Sequence, residues 1–230
     1  MERSLEKIQF FENANEAFQF YNYAIPAYGL EHGNTRCLFN VGFYINNPLD
    51  NHITCDHRKW NLDYAKAEWR WYLSGVNNVT KLGKIYGSIP KIWLKICDDN
   101  GTVNSNYGYH WFKGKTYKDK QYYKVIKQLK KDKYTRRASL SVYNMNKVKL
   151  DDTDVPCTYA VNFNIVDSKL NMSVVMRSND LWFGFCNDQF CFSMLQKSVL
   201  TDLQGVYPHL KIGHYYHFAN NLHLYKNQLK

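Results

Sequence analysis

The 230-residue sequence has no long hydrophobic run, no CxxC pair and no Pro/Gly/Ser-rich tract. Without an apolar stretch of about 20 residues, the sequence predicts no helix that spans a bilayer. The amino-terminal stretch MERSLEKIQFFENANEAF carries charges where a signal peptide needs an apolar core, so we expect a cytoplasmic protein. Because no linker or repeat divides the chain, we predict a single domain over residues 1–230.

The cysteine spacing excludes the common zinc motifs. The six cysteines are Cys37, Cys55, Cys97, Cys157, Cys186 and Cys191. In a reducing cytosol we expect free thiols, most of them acting as small buried hydrophobic side chains. The sequence therefore predicts no metal site.

Positive charge is abundant instead: the net charge is +10, and lysines are concentrated in YKVIKQLKKDKYTRR. Lysines interleaved with aromatic residues are typical of nucleic-acid binding, because lysines bind phosphates while rings stack on bases. However, apolar residues recur at helical spacing in residues 117–133, which favours a helix with a solvated lysine face. Nucleic acid is thus not required, and the positive field also suits a small anionic substrate.

Hydrophobic periodicity predicts several helices and strands. We expect a first helix over the first twenty or so residues, with Leu5, Ile8, Phe11 and Phe18 near one face. A second helix is expected over 62–73, ended by Ser74-Gly75, and a third over 189–204. The strands are expected over 37–45, 138–144, 158–166, 170–176 and 211–225, with a turn at DSK. Helices followed by sequential strands indicate an α+β fold with an antiparallel or mixed sheet flanked by helices.

Glu68 and Cys157 are candidate catalytic residues. Glu68 lies among aromatic residues in KAEWRWYLSG, where desolvation would raise its pKa and make it a usable acid or base. The alternative is a surface glutamate paired with Lys or Arg on the same helix. Cys157 follows a proline at the start of a strand, and a nucleophilic thiolate needs cations nearby. Arg177, at the far end of the same predicted hairpin, is one such cation.

Other polar pairs have both a binding and a structural interpretation. Arg136 and Arg137 suit bidentate phosphate capture or are two surface arginines before a strand. His223 and Tyr225 project from one face of a strand, where they either share a ligand or line the core. His214 and His217 are three apart in a strand and face opposite sides, which argues against a shared metal.

Seven motifs, taken together in their order along the chain, resemble those of the thymidylate synthase superfamily from about residue 34 to residue 227. The motifs that carry the resemblance are EWRWYLSG, KIWLKICDDNG, NSNYG, TRRASLSVYN, VPCT, RSNDLWFG and HLY. The sequences PKIW, CT in place of Cys-His, and RSND followed by FGF and ND are most similar to the branch of bacteriophage deoxycytidylate (dCMP) hydroxymethylases. The resemblance implies a thymidylate synthase-like fold.

The position of Asp188 distinguishes the branches, because the resemblance implies asparagine there in thymidylate synthases and aspartate in dCMP hydroxymethylases. An amide complements uracil, accepting from N3–H and donating to O4, but meets a mismatch on cytosine. A carboxyl group accepts from the 4-amino group of cytosine and shares a proton with N3. That proton also stabilises negative charge that develops on the ring.

The resemblance implies a role for each site residue. Cys157 would add to C6 of dCMP, with Tyr107 beside it, and C5 would take the one-carbon unit of 5,10-methylenetetrahydrofolate, the co-substrate. Glu68 would handle protons and order the water that hydrates the product. Asp180, Trp93 and Gly184 would bind the folate.

The remaining residues would bind the nucleotide. The 5′-phosphate would be bound by Arg177, Ser178, Arg36 in GNTRC, and Arg136 and Arg137 from the second subunit of a homodimer. His223 and Tyr225 would hold the deoxyribose 3′-hydroxyl. A phage-encoded member would act in the host cytoplasm, and its product would mark viral DNA.

Two alternatives remain open at the level of sequence. The first is a thymidylate synthase or a hydroxymethylase of dUMP. The second, from a different class, is a non-catalytic homologue that binds nucleotide or nucleic acid through its basic surface. Retention of Cys157, Glu68 and the arginines favours the enzyme.

Overall fold

Strands and helices are unevenly distributed along the chain in a computed structural model that describes residues 8–144 and 149–229. The chain packs as two compact units: residues 1–60 with 162–230, and residues 61–161. The second unit is thus a continuous insertion in the sequence of the first, and the single domain stays a prediction. Among the described helices, none has the length and apolar character needed to cross a membrane.

The first unit contains most of the strands and two long helices. In chain order it has β1 (Gln9–Phe11), α1 (Ala14–Tyr28), β2 (Leu30–His32), β3 (Thr35–Ile45), β5 (Thr158–Val166, from residue 162 onward), β6 (Lys169–Met176), β7 (Asn179–Asp180), a π-helical turn (Leu181–Phe185), α7 (Cys186–Leu203), β8 (Lys211–Tyr225) and a 3-10 turn (Lys226–Gln228).

The sheet of the first unit is mixed, as expected, and runs in the order β1-β3-β8-β6-β5. Strand β8 pairs antiparallel with β3 over Tyr215–Tyr225 and parallel with β6 and β7. Strand β1 pairs parallel and β2 antiparallel with β3. The predicted turn at DSK is confirmed: Asp167 and Ser168 both have positive φ, 48° and 56°, as in the two-residue turns that match strand twist.

The core of this unit lies between α1, α7 and one face of the sheet. Asn13 caps helix α1, because its side chain accepts a hydrogen bond from Glu16 N. Phe18 on this helix, Phe43 on β3 and Phe185 are fully buried. Alternate residues of β8 are buried from Gly213 to Ala219, so His214 faces outward and His217 inward, as predicted.

The second unit is mainly helical, with short elements around buried aromatic side chains. It contains α2 (Leu62–Leu73), α3 (Val79–Tyr86), α4 (Lys91–Ile96), α5 (Tyr107–Phe112), a 3-10 turn (Tyr117–Asp119), α6 (Gln121–Lys131), β4 (Ser139–Ser141) and the beginning of β5. Trp71 and Trp111 are fully buried. Helix α6 buries the four apolar residues that predicted it: Tyr122, Val125, Ile126 and Leu129.

One predicted element is wrong. The structure has a strand at Gln9–Phe11 and begins α1 at Ala14, whereas a helix was predicted over the first twenty or so residues. Leu5 lies outside the described residues. Phe11 and Phe18 are both buried, but Phe11 is buried because β1 pairs with β3, an association that the local spacing of apolar residues does not reveal.

Candidate active site

Two of the predicted phosphate-binding residues interrupt a strand of the first unit. The pairing of β6 with β8 ends at Met176, and that of β7 with β8 begins at Asn179. Arg177 and Ser178 therefore lie outside both ladders, and both are half-buried. The alternating directions of side chains along a strand therefore do not apply to these two residues.

Asp180 caps the π-helical turn that leads into α7. One oxygen of its carboxyl group accepts from Trp182 N at 2.9 Å, and the other accepts from Phe183 N at 3.2 Å. Asp180 lies directly opposite His223 in the parallel ladder. Burial raises the pKa of Asp180, while the two backbone donors and the positive charges of His223 and Arg58 oppose that rise.

His223 and Tyr225 project from the same face of β8, as predicted. Their rings meet edge to face with centroids 5.2 Å apart. His223 is buried and its Nδ1 lies 3.0 Å from Asn221 Oδ1, whereas Tyr225 is exposed. Burial lowers the pKa of His223, against the opposing effect of Asp180.

Asp188, in the first turn of α7, is linked to β7 by a hydrogen bond. Asn179 Nδ2 donates to Asp188 Oδ2 at 2.8 Å. Burial raises the pKa of Asp188 to about 7, and the charge of Asp180 adds to this rise while the Asn179 bond opposes it. At Gly184, a Cβ would lie 3.0 Å from Asn179 Nδ2 and 3.5 Å from Asp188 Oδ2, so this glycine allows the close approach.

Arg58 is a neighbour of Asp180 that the sequence analysis missed. Its Nε donates to the carbonyl oxygen of Trp182, and its guanidinium lies 5.0 Å from the ring centroid of Phe183 and 5.9 Å from that of Trp182. Residue 58 belongs to HRKW, a loop sequence with no recognisable motif. Only the folded chain brings this cation to the acid.

A buried Tyr-His pair was also missed. Tyr215 Oη lies 2.6 Å from His217 Nδ1, and both residues are fully buried. Burial lowers the pKa of His217 to about 3, so its ring is neutral. The pKa of Tyr215 is raised, first by burial and then by the charge of Asp188. The alternation of β8 predicted that His214 and His217 face opposite sides of the strand, but not that Tyr215 contacts His217.

In the second unit, Glu68 is buried with 5% of its surface exposed, which favours the desolvated glutamate over the surface ion pair. It lies on α2 beside Trp69 and Trp71 in the sequence. Trp93 is also buried: its Nε1 donates to Tyr64 Oη at 2.7 Å, and its ring meets Trp71 edge to face at 5.2 Å.

Cys157 is half-buried, and it follows a segment that the buried Asp154 holds by hydrogen bonds. Asp154 Oδ2 accepts from Asn104 N at 2.6 Å and Ser105 N at 2.8 Å, while its Oδ1 accepts from Ser105 Oγ. Asn104 Nδ2 completes the set by donating to Asp154 O at 3.0 Å. The sequence analysis did not single out Asp154.

The same loop continues into α5, which begins with Tyr107. Asn106 caps this helix by accepting from Tyr109 N at 2.7 Å, and its Nδ2 donates to Val76 O at 3.3 Å. Tyr107 is buried, with its ring 5.8 Å from that of Tyr72. Asp154 therefore connects the segment before Cys157 to the loop that positions Tyr107.

The remaining predicted phosphate ligands lie near the surface. Arg136 and Arg137 are exposed, and Thr135 beside them accepts from Gln128 Nε2 at 2.9 Å and Arg137 N at 3.2 Å. Arg36, in the first unit, is half-buried and its Nε donates to Gly29 O at 2.9 Å.

A comparison with known proteins decides the family, because the thymidylate synthase profile matches residues 34–230. The chain belongs to the thymidylate synthase family. The thermostable thymidylate synthase A from Bacillus subtilis has the same fold, with a TM-score of 0.72 at 20% identity over 93% of this chain and 80% of that one.

Two phage members of the thymidylate synthase family are similar in sequence. The deoxycytidylate 5-hydroxymethyltransferase of Enterobacteria phage T6 is 31% identical over 72% of this chain and 68% of its own length. The deoxyuridylate hydroxymethyltransferase of Delftia phage PhiW-14 is 29% identical over 84% of this chain, which spans about half (54%) of the Delftia protein.

Within the first unit, this thymidylate synthase family member brings Asp180, Gly184, Asp188 and His223 together. Within the second, Asp154 links the segments that carry Cys157 and Tyr107. Over residues 8–144 and 149–229, no group of three His, Cys, Asp or Glu side chains is arranged to hold a metal ion.

Proposed function

We propose that the protein is a deoxycytidylate 5-hydroxymethyltransferase, which transfers a one-carbon unit from 5,10-methylenetetrahydrofolate to C5 of dCMP with hydration. The observation that carries the proposal is the state of Asp188. With a pKa of about 7, this carboxyl group is half protonated near neutrality. It is therefore both a donor and an acceptor where an amide would favour uracil.

The hydrogen bond from Asn179 gives the two oxygens of Asp188 different roles. Oδ2 already accepts from Asn179 Nδ2 and would carry the proton that is shared with cytosine N3. Oδ1 would accept from the 4-amino group. Leaving such a buried group unpaired costs about 1–3 kcal/mol, which favours one base about tenfold or more.

The nucleophile would be Cys157. Its thiolate adds to C6 of the pyrimidine, which makes C5 nucleophilic toward the one-carbon unit that the folate supplies. C5 bonds to the one-carbon unit and loses its proton, and tetrahydrofolate leaves, which produces an exocyclic methylene. Water then adds to this methylene, and Cys157 leaves as the C5–C6 double bond forms again. Glu68, desolvated by burial, holds and transfers the protons of these steps and orders the water. Tyr107 would lie beside the nucleophile.

Charged and polar side chains would bind the rest of dCMP. Arg177 and Ser178, outside the strand ladders, bind the 5′-phosphate, with Arg36 and, from a second subunit, Arg136 and Arg137. The paired His223 and Tyr225 hold the 3′-hydroxyl.

Asp180, Trp93 and Gly184 would hold the folate. The pterin ring carries N–H donors, and in the described part of the first unit each Asp180 oxygen accepts one backbone donor, so lone pairs remain for such a ligand. The buried indole of Trp93 supplies an apolar contact.

Product formation from dCMP and from dUMP, each with methylenetetrahydrofolate, tests the proposal. We expect hydroxymethyl-dCMP as the main product and tritium release from C5-labelled dCMP. Asp188→Asn should lower kcat/KM for dCMP by tenfold or more and raise it for dUMP, while the exposed Asp63→Asn serves as control. Clear preference of the unaltered enzyme for dUMP would contradict our interpretation of Asp188.

A hydroxymethyltransferase of dUMP is the second candidate, favoured by the similarity to the Delftia phage protein. A protonated Asp188 can also pair with uracil by exchanging roles, accepting from N3–H and donating to O4. The product distinguishes these enzymes from a thymidylate synthase, since reduction of the methylene would give a methyl group and no hydroxymethyl nucleotide.

We propose that the protein is a homodimer. The sheet face opposite α1 and α7 carries aromatic residues, including Phe10, 65% exposed, which stacks on Tyr44 at 4.9 Å, and Tyr216, 4.7 Å from Tyr44. Such a face suits a second copy. Mixing two inactive variants, Cys157→Ala and the double variant of Arg136 and Arg137 to Ala, should restore turnover if the arginines act across the interface.

A further inference from the structure

The positive charge of the chain is concentrated in one segment of the second unit, residues 113–137. This segment contains eleven Lys or Arg residues and two Asp, so it carries +9 of the net charge of +10. The two acids bind backbone groups: Asp119 Oδ2 accepts from Thr116 N at 2.9 Å, and Asp132 Oδ1 accepts from Tyr134 N at 2.9 Å. An even distribution of solubilising charge would not leave the rest of the chain at +1.

Helix α6 arranges part of this charge in a stripe. Its apolar residues face the core, and the opposite side carries Lys124, Lys127 and Lys131, in line with Lys120 at its cap. These spacings of four, three and four residues place the four side chains on one face over about 16 Å. Lys124, Lys127 and Lys131 are exposed.

Exposed aromatic rings flank both ends of the stripe. Tyr117, before the helix, is 52% exposed, and Tyr134, after it, is 75% exposed. A lysine accompanies each ring: Lys120 Nζ lies 5.7 Å from the ring centroid of Tyr117, and Lys133 Nζ lies 4.8 Å from that of Tyr134. A solvated helix face needs lysines but has no need of exposed rings at its ends.

We infer that this surface, the lysine stripe with Tyr117 and Tyr134, binds single-stranded nucleic acid. Lysines neutralise phosphates and release counterions, which gives an attraction independent of sequence. Exposed tyrosine rings stack on unpaired bases, whose faces are free in a single strand but covered in a duplex. An acidic protein would use the lysines but would not need the rings. None of its residues is among those proposed for catalysis.

Fluorescence polarisation with a labelled 20-nucleotide oligo(dT) tests the lysine stripe. The variant K124Q/K127Q/K131Q removes three phosphate contacts and retains good helix formers, so we expect affinity at 0.1 M salt to fall about a hundredfold. The slope of log affinity against log salt should become shallower by about 2. The matched control K169Q/K197Q/K211Q removes three exposed lysines of the first unit and should bind like the unaltered protein.

The aromatic part of the inference has its own variant. Tyr134→Ala should weaken oligo(dT) binding about fivefold or more, because one stacked base is lost. Tyr134→Phe retains the ring and should bind normally, and Tyr159→Ala removes another exposed tyrosine, 42% exposed, elsewhere in the same unit as a control. Arg136 and Arg137 stay unchanged, because they are proposed to bind substrate phosphate.

Three results would overturn the inference. One is an absence of binding to oligo(dT) at 0.1 M salt. Another is equal affinity for oligo(dT), duplex DNA of the same length and poly-glutamate, which would show unspecific attraction of polyanions or an acidic partner. The last is equal loss of binding in the stripe variant and in the control. Far-UV circular dichroism and thermal unfolding of each variant separate lost binding from lost folding.

Discussion

The buried acid Asp154 and the half-buried acid Asp188 differ in the donors that surround them. Asp154, in the second unit, accepts two backbone N–H groups and a hydroxyl. Asp188, in the first unit, accepts one amide donor, which opposes but does not cancel the effects of burial and of the nearby Asp180 charge, so its pKa rises to about 7. The carboxyl group of Asp154 therefore positions the chain, whereas that of Asp188, with burial as the main cause of its raised pKa, exchanges a proton near neutral pH.

The largest effect is expected at Cys157, the thiol that follows the segment held by Asp154. Cys157→Ala should lower turnover of dCMP by about 10⁴-fold or more, because it removes the nucleophile, while nucleotide binding remains. The measurements are steady-state turnover and equilibrium binding of dCMP. Cys97→Ala, a half-buried thiol of the same unit, is the control, and unchanged turnover in Cys157→Ala would remove the proposed mechanism.

Asp188→Asn should change how stability depends on pH. Below pH 4 the carboxyl is protonated in both folded and unfolded chains, which sets the reference. Between pH 4 and pH 7 the unfolded chain loses this proton while the folded chain retains it, so the free energy of unfolding falls with rising pH. The total decrease in the free energy of unfolding is on the order of 4 kcal/mol, and no further decrease from Asp188 is expected above pH 7.

Urea unfolding at one protein concentration and at pH 5, 6 and 8 measures this difference. Relative to the unaltered protein, Asp188→Asn should gain stability as pH rises. If the free energy of unfolding depended on pH in the same way in both proteins, Asp188 would have an ordinary pKa. The contrast drawn with Asp154 would then be wrong.

Asp154→Asn should destabilise the protein by about 1–3 kcal/mol, because the new NH2 group would face backbone donors and leave at least one of them unpaired. Asp152→Asn in the same loop is the matched control, since among the described residues Asp152 accepts a single backbone donor, Lys149 N, and it should cost about 0.5 kcal/mol or less. Urea unfolding at pH 7 compares them. Equal stability of both variants would show that the Asp154 network contributes little.

The smallest effect is expected at Asn179. Asn179→Ala removes the donor that opposes the rise of the Asp188 pKa, so this pKa should move further upward. The alkaline limb of the pH profile of kcat/KM for dCMP, where Asp188 loses its proton, should shift to higher pH. Asn164→Ala, which breaks a different amide pair of the first unit, should leave the limb in place. An unmoved limb in both variants would assign it to another group.

Several elements were predictable because their residues repeat with a local period. The helix at Leu62–Leu73 and the strands at Thr158–Val166 and Lys211–Tyr225 have the predicted bounds. Helices α3, α4 and α5 were not predicted, since six to eight residues hold too few turns for a clear period. The prediction of helix at Gln9–Phe11 is wrong because the burial of β1 depends on its pairing with β3, which the local spacing of residues does not reveal.

The sequence by itself determined which chemical groups are available: a thiol after a proline, a glutamate among tryptophans, and an aspartate where an amide would favour uracil. Order along the chain was enough to indicate the family. Only the tertiary structure decided the parallel pairing of β6 with β8, the approach of Arg58 to Asp180 and the pKa of Asp188. A pKa depends on burial and on neighbouring charges, and both come from residues that are distant in sequence.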